Sequence, residues 1–223
     1  MGLGPGLFDV LQEYWPIFLK GTIGTLKYAA IAVSLGSVLG AFIALINLSK
    51  NKIANAIGSV YVNVLRGTPL LVQMYIAYFF LPIAIPVLNG VTKEIYVLIA
   101  LILNSSAYVS EIIRGGINSV DKGQTEAARS LGLTASHTMT KIVLPQAVKN
   151  ILPALANEYI AMIKETSLAG TFMLYELMYT RTLLANKFLV WQPLFIIAGI
   201  YLVLTLLLSW IVKIMEKRFA VSD

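Results

Sequence analysis

The sequence of 223 residues contains no cysteine and a single histidine, His137. The absence of cysteine excludes disulfides, thiol nucleophiles and thiolate metal sites. His137 stands in a polar loop without the companions that a metal site needs, so we expect no bound metal there. No nucleophile, base and acid occur together, and no GxxxxGK[ST] stretch that could hold nucleotide phosphates is present. We therefore expect neither catalysis nor ATP binding by this chain.

Charged residues are also scarce, at 13% of the chain, whereas 58% of residues are hydrophobic and the mean hydropathy is +0.79. A helix needs about 20 apolar residues to cross a membrane, and five stretches meet this need. Backbone groups in lipid must be satisfied within the segment, and these stretches are too long for barrel strands, so we expect an all-α integral membrane protein. The predicted spans cover residues 22–48, 67–87, 95–113, 148–169 and 188–212.

The distribution of lysine and arginine predicts the orientation in the membrane. With the N-terminus outside and the C-terminus in the cytoplasm, the inner connections carry more of these residues than the outer ones. We expect residues 1–20 to form a separate interfacial helix on the outer leaflet, and no cleaved signal peptide. The net charge of +6 then reflects topology and contact with the anionic lipid bilayer, and nucleic-acid binding is not expected.

A polar stretch, residues 122–145, interrupts the apolar chain between spans three and four, on the predicted cytoplasmic side. Helical spacing places Ala127, Ala128 and Leu131 on one face, and Gly132 is expected to end this short helix. A second helical turn is predicted to start near Thr134 or Ser136, and Pro145 to restart the chain as span four. A face of small residues suits docking into a cleft of another protein.

The spacing in this stretch resembles the EAA loop of ABC importer permeases. The matching positions are Glu126, Ala127, Ala128, Gly132, Ile142, Leu144 and Pro145. Three further stretches resemble the polar amino-acid uptake branch of that family: RGTPLLVQ (66–73), SAYVSEIIRGGI (106–117) and LPALANEYIAMIKETSLAG (152–170). The chain is read as one transmembrane domain of this kind, spanning residues 1–223.

The resemblance implies the partners and the source of energy. Glu126, Ala127, Ala128 and Gly132 would contact an ATPase subunit as a coupling helix. Two such ATPases, which bind ATP and Mg²⁺, would work with two permease subunits, identical or closely related. A solute-binding protein outside the bacterial cytoplasmic (inner) membrane would deliver the substrate.

Two pairs of residues in the spans are each open to two interpretations. Gly36 and Gly40 form a GxxxG pair that permits close helix packing, although glycine is also common filler in membrane helices. Gly67 and Pro69 at the inner end of span two predict either a plain kink or the hinge of a gate.

Ionisable side chains inside a membrane are costly, so their positions indicate the substrate path. Span three carries a polar stripe through Asn104, Tyr108 and Glu111, and span four carries one through Glu158 and Glu165. The residues that we expect to contact the substrate are Asn104, Ser105, Tyr108, Glu111, Asn157, Glu158, Glu165 and Thr166. Two of these have a structural alternative: Glu111 can pair with Arg114 at i+3, and the family pattern implies a structural or gating role for Thr166 with Lys164 and Ser167.

The function expected from these observations is ATP-driven import of amino acids by alternating access. Two acidic residues in the path favour cationic cargo, namely arginine, lysine or histidine. An α-ammonium can use the same carboxylates, so glutamine or another polar amino acid is the alternative. An ion-coupled secondary amino-acid carrier, in which the acids bind protons or Na⁺, and an assembly scaffold without transport are the remaining alternatives.

Overall fold

The computed structural model describes residues 6–187 and 191–220, without the side chains of residues 219 and 220. Throughout these residues the chain forms helices joined by short connections, and no strand occurs among them. The helices are α1 (Leu7–Asn47), α2 (Lys52–Gly67), α3 (Leu70–Ala84), α4 (Lys93–Asn118), α5 (Lys122–Ser130), α6 (Ala135–Thr138), α7 (Leu144–Glu165), α8 (Tyr179–Leu184) and α9 (Trp191–Ala220). The all-α prediction is confirmed.

Helix α1 runs without interruption for 41 residues, so no boundary separates the predicted interfacial helix of residues 1–20 from the first span. Gly6 precedes the helix, and its N–H donates to Asp9 Oδ2 at 3.1 Å. Pro16 lies inside the helix, where it removes one backbone hydrogen bond without ending the helix. The described part of the segment, from Leu7 onward, therefore extends the first span; residues 1–5 lie outside the described residues.

The predicted second span, residues 67–87, contains α3, which meets the preceding helix α2 at an angle of 105°. Pro69 causes the break, because a residue before proline is driven out of the helical region. Thr68 accordingly has φ −119° and ψ 146° and ends α2, while α3 begins at Leu70. The structure thus replaces the predicted kink with a sharp break, and it adds α2, which the sequence pattern does not predict.

Helices α1 and α4 form the centre of the bundle. A Cβ on Gly36 would lie 2.9 Å from Ser105 Cβ, and one on Gly40 would lie 2.7 Å from the Ser106 carbonyl oxygen. Only glycine permits this approach, so the predicted packing role of the pair is confirmed. Tyr61 of α2 joins the same contact, with its hydroxyl 2.6 Å from Ser106 Oγ.

The polar connection between α4 and α7 contains the two predicted helical turns. Asp121 Oδ1 accepts the Gly123 N–H and starts α5, and Gly132, at φ +86°, allows the chain to turn after it. Thr134 caps the next turn. Pro145 does not restart the chain, however: residues 135–165 are one continuous helix, with a π-helical turn at Met139–Val143 just before the proline.

A buried loop between α7 and α8 packs against α1. A 3₁₀ segment, Thr166–Phe172, follows α7, and Glu176 behind it is fully buried. Its carboxylate accepts the N–H groups of Met178 and Tyr179 and the hydroxyl of Tyr201. A Cβ on Gly24 of α1 would overlap the Tyr175 carbonyl oxygen, so this glycine is required for the contact. The sequence pattern did not single out Glu176.

By length and apolarity, three helices of the described residues could cross a membrane, namely α1, α4 and α9, and α2 with α3 adds a fourth if the bent pair is one span. Helix α7 is as long as a span but carries Lys149, Glu158, Lys164 and Glu165. The count of five spans and the orientation stay predictions. The start of the predicted fifth span, residues 188–190, lies outside the described residues. We call the end of the bundle at which residues 119–143 lie the connector end.

Candidate functional site: a polar cavity at a broken helix

A cavity of about 320 Å³ opens between the α2–α3 break, the middle of α4 and the second half of α7. The lining residues are Thr68, Pro69, Leu70, Asn104, Tyr108, Glu158, Ala161, Met162 and Glu165. The lining brings together four of the predicted substrate residues: Asn104, Tyr108, Glu158 and Glu165. Spaced along two helices, these four face one another across the cavity, as the two polar stripes predicted.

Glu158 is the deepest carboxylate of the cavity, with 9% of its surface exposed. One oxygen, Oε1, accepts a hydrogen bond of 3.1 Å from Ser105 Oγ of α4. Ser105 is itself fully buried and does not line the cavity, so it holds the carboxylate from behind. The second oxygen, Oε2, makes no hydrogen bond among the described residues and can accept one from a ligand.

A network of amides joins Asn104 to the helix break. Gln73 Nε2 donates to the carbonyl oxygens of Leu65 at 2.7 Å and Thr68 at 3.1 Å, which α2 leaves without helical partners where it ends. Asn104 Nδ2 donates to Gln73 Oε1 at 3.1 Å. The break is therefore stabilised by side chains of α3 and α4, and Asn104 is held in place by the same network.

The first turn of α3 supplies a complementary group. Leu70 and Leu71 occupy its first two positions, where backbone N–H groups have no acceptor within the helix, and Pro69 provides no side-chain cap. Leu70 lines the cavity. A helix N-terminus also carries a partial positive charge, so this wall of the cavity suits an anionic group.

Glu111 does not line this cavity, and its predicted contact with the substrate stays a prediction. It pairs with Arg114 through two bonds of 2.8 Å, as the structural alternative predicted, and with Arg66 of α2 at 3.2 Å. Arg66 also stacks on the ring of Tyr108, 5.1 Å from its centroid. Glu111 thus connects α2 and α4 on the side of the cavity toward the connector end.

Asn157 and Thr166 are not brought into the cavity either. Asn157 is exposed on α7, one residue from Glu158 and therefore about 100° around the helix. Thr166 is fully buried and donates to the Ile163 carbonyl at 2.7 Å, where α7 passes into the 3₁₀ segment. Sequence reasoning missed Thr68, Leu70 and Gln73, although they belong to the quoted RGTPLLVQ stretch.

The predicted coupling residues lie at the connector end, on and just after α5. Glu126, Ala127 and Gly132 are exposed, and Leu131 exposes 83% of its surface. Ala128, in contrast, is 6% exposed, because α5 packs against the π-helical turn on that side. Ala128 therefore packs against the rest of this chain and is not part of the exposed face of α5, which differs from its predicted place in the docking face.

The comparison with known proteins gives the family of this chain. The family model described as "Binding-protein-dependent transport system inner membrane component" matches residues 36–221. The chain belongs to this family of ABC permeases. It is 40% identical to a protein of Rickettsia felis named as a glutamine transport system permease, over 97% of this chain and all of the relative.

Two further proteins show how far the similarity to this permease extends. The arginine transport system permease of Bacillus subtilis is 39% identical, over 93% of this chain and 94% of that protein. A chain in the crystal structure of an amino acid ABC transporter with histidines is 40% identical in sequence to this permease. The two chains superpose with a TM-score of 0.90, over 97% of this chain and 100% of that chain. The permease is thus an inner membrane component of an ABC transport system.

Proposed function

We propose that this permease imports amino acids and that its cavity favours those with a cationic side chain. The observation that carries this proposal is the charge of the lining: two carboxylates, Glu158 and Glu165, with no lysine or arginine among the described residues that line the cavity. Carboxylates attract ammonium and guanidinium groups and discriminate against anionic ones. The names of the relatives, which mention glutamine, arginine and histidines, support amino-acid cargo.

The α-ammonium and α-carboxylate, which all amino acids share, have separate partners in the cavity. Glu158 Oε2 and Asn104 Oδ1 accept hydrogen bonds from the ammonium. The N–H groups of Leu70 and Leu71 at the start of α3 donate to the carboxylate. Broken helices that direct a helix N-terminus at an anionic substrate group are a general feature of membrane transporters.

The cargo side chain extends toward Glu165 in this arrangement. Glu165 lies seven residues after Glu158, hence on the same face of α7 and roughly 10 Å further along its axis. An extended arginine brings its charged guanidinium to the Glu165 carboxylate, whereas the neutral side-chain amide of glutamine forms no charge pair there. Glu165 is exposed, which fits a residue that binds the end of a long cargo side chain.

The partners follow from the family and from the connector end. We propose that two ATPase subunits dock onto the surface formed by Glu126, Ala127, Leu131 and Gly132, and that a second permease subunit completes the pathway. A solute-binding protein delivers the amino acid at the opposite end. Closure of the ATPases on ATP then moves α5, and through it α4 and α7, so that the cavity opens to alternate sides.

Glutamine is the second candidate cargo, because the Rickettsia felis relative is named for glutamine transport. The common groups of glutamine are recognised as above, and its side-chain amide requires no carboxylate. The two candidates therefore differ in the role of Glu165. The family is that of binding-protein-dependent systems, which favours ATP-driven import over an ion-coupled carrier or a scaffold.

Replacing Glu165 with glutamine is expected to separate the two cargoes. Arginine binding should weaken by about tenfold, since a hydrogen-bonded charge pair is lost, while glutamine binding should stay within about twofold. The measurement is the equilibrium dissociation constant of each amino acid for the assembled transporter in nanodiscs, without the solute-binding protein. Glu94→Gln, an exposed glutamate far from the cavity, is the matched control. Unchanged arginine binding would refute the cationic preference.

A further inference from the structure

We propose that Gln73 is a positioning residue for cargo recognition, because it sets which end of the Asn104 amide faces the cavity. This inference rests on the proposed function, in which the cavity holds the α-ammonium of an amino acid. An asparagine can present either a donor or an acceptor, and only the acceptor favours an ammonium. The orientation of Asn104 therefore matters for affinity.

The orientation of Gln73 is fixed by its own neighbours. Its Nε2 lies 2.7 Å from the Leu65 carbonyl oxygen, 3.1 Å from the Thr68 carbonyl oxygen and 2.9 Å from Thr68 Oγ1. Carbonyl oxygens only accept hydrogen bonds, and Thr68 Oγ1 already donates its hydrogen to the Val64 carbonyl at 2.8 Å. All three oxygens thus require a donor, which places the NH₂ of Gln73 against them and turns its Oε1 away.

Asn104 must match this arrangement. The same end of its amide lies 3.1 Å from Gln73 Oε1 and 3.4 Å from the Leu65 carbonyl oxygen, and both of these atoms are acceptors. Nδ2 therefore faces the network at the helix break. Oδ1 faces the other way, makes no hydrogen bond to another described residue, and belongs to a side chain that is 6% exposed and lines the cavity.

The result is a cavity wall on which Asn104 presents an acceptor beside the carboxylate of Glu158. If the Asn104 amide were reversed, its NH₂ group would face the ammonium. Both groups are hydrogen-bond donors, so no hydrogen bond could form between them. The break after α2 makes this orientation of Gln73, and hence of Asn104, possible. It leaves the carbonyls of Leu65 and Thr68 free of helical partners, and these carbonyls orient Gln73.

A double-mutant cycle tests the proposal. Gln73→Met keeps the length of the side chain but cannot orient Asn104, and Asn104→Leu removes the acceptor. We expect each single variant to weaken arginine binding by about tenfold, and the double variant to bind no more weakly than Asn104→Leu alone. Gln146→Met is the matched control, since within the described part of the chain the Gln146 side chain donates only to the Ile142 carbonyl, one turn earlier in its own helix. Binding is measured with L-arginine on the assembled transporter in nanodiscs.

The other outcomes separate the two proposals. Independent, multiplicative losses would mean that Gln73 acts on the helix break and not through Asn104, which would overturn this inference alone. A loss with Asn104→Leu but none with Gln73→Met would do the same. Normal binding by Asn104→Leu would overturn the proposed cavity itself. If Gln73→Met does not assemble with its partners, Gln73→Asn, whose shorter amide cannot bridge the carbonyls and Asn104, takes its place with the same expected results.

Discussion

Replacing Glu158 with glutamine is expected to weaken binding of arginine and of glutamine alike, by about 10- to 100-fold. A hydrogen bond to a charged group contributes about 1.5–3 kcal/mol, and every 1.4 kcal/mol is about tenfold in affinity. The carboxylate of Glu158 is buried and is held by Ser105, so it cannot move away from the ammonium or be replaced easily by water. Both amino acids lose the same contact, because both carry the α-ammonium. Dissociation constants for the assembled transporter, without the solute-binding protein, measure the effect.

Glu94→Gln again serves as the control, and we expect it to bind both amino acids normally. The comparison with Glu165→Gln adds a second criterion, since that variant should affect arginine alone. If Glu158→Gln weakened the binding of arginine but not of glutamine, Glu158 would contact the cargo side chain and not the α-ammonium. Normal binding of both amino acids would show that the ammonium is not held by this residue.

Replacing Ala127 with phenylalanine is expected to reduce ATP-driven uptake by about 5- to 150-fold. Ala127 is exposed on α5 beside Leu131, and a bulky side chain there prevents close seating of the helix in a partner groove. Overpacking of a close contact costs about 1–3 kcal/mol, which is about 5- to 150-fold in docking affinity. The measurements are co-purification of the ATPase subunits and uptake of labelled arginine into proteoliposomes supplied with ATP.

Two further alanines make the test specific. Ala84→Phe places the same bulk on an exposed alanine at the opposite end of the bundle and should leave docking intact. Ala128→Phe should instead destabilise the permease itself, because Ala128 is buried on the face of α5 that packs against the π-helical turn. If Ala127→Phe retained full ATPase attachment and full uptake, the exposed face of α5 would not transmit force from the ATPases.

The bundle core and the polar connector could be predicted from sequence because their signals are local. The pair Gly36 and Gly40 has the spacing that permits close helix packing, and Gly132 is favoured where φ is positive. Motif spacing also singled out Glu126 and Ala127, which are exposed on α5. Such features depend on a few neighbouring residues and not on the arrangement of the whole chain.

The helix break was predicted only as a kink, since sequence indicates where a helix is weakened but not how far it bends. The angle of 105° depends on partners that are remote in sequence. Asn104 is 31 residues from Gln73, and Tyr61 meets Ser106 45 residues away. These contacts stabilise the turned arrangement of α2 and α3. The length of α1 was missed for a similar reason: an interfacial segment and the start of a span can have the same composition.

Only part of the site could be predicted, because periodicity gives the angular position of a residue on its helix and not the residues that it contacts. In a membrane protein apolar residues can face lipid or protein, so the polar stripe was the only guide to the facing side. It identified Asn104, Glu158 and Glu165 but could not place Asn157, which is one residue out of register. Thr166 lies beyond the end of α7, where the 3₁₀ geometry changes the angle per residue. Glu111 lies outside this cavity and pairs with two arginines, of which only Arg114 is close to it in sequence.

The direct test of the account is a structure of the assembled transporter with saturating L-arginine. We predict density for one arginine in the cavity of this chain, with its α-ammonium within hydrogen-bond distance of Glu158 and Asn104, and its carboxylate at the N–H groups of Leu70 and Leu71. The guanidinium should contact Glu165. An empty cavity, with arginine bound elsewhere in the permease, would contradict the central claim that the broken helix and α7 form the cargo site.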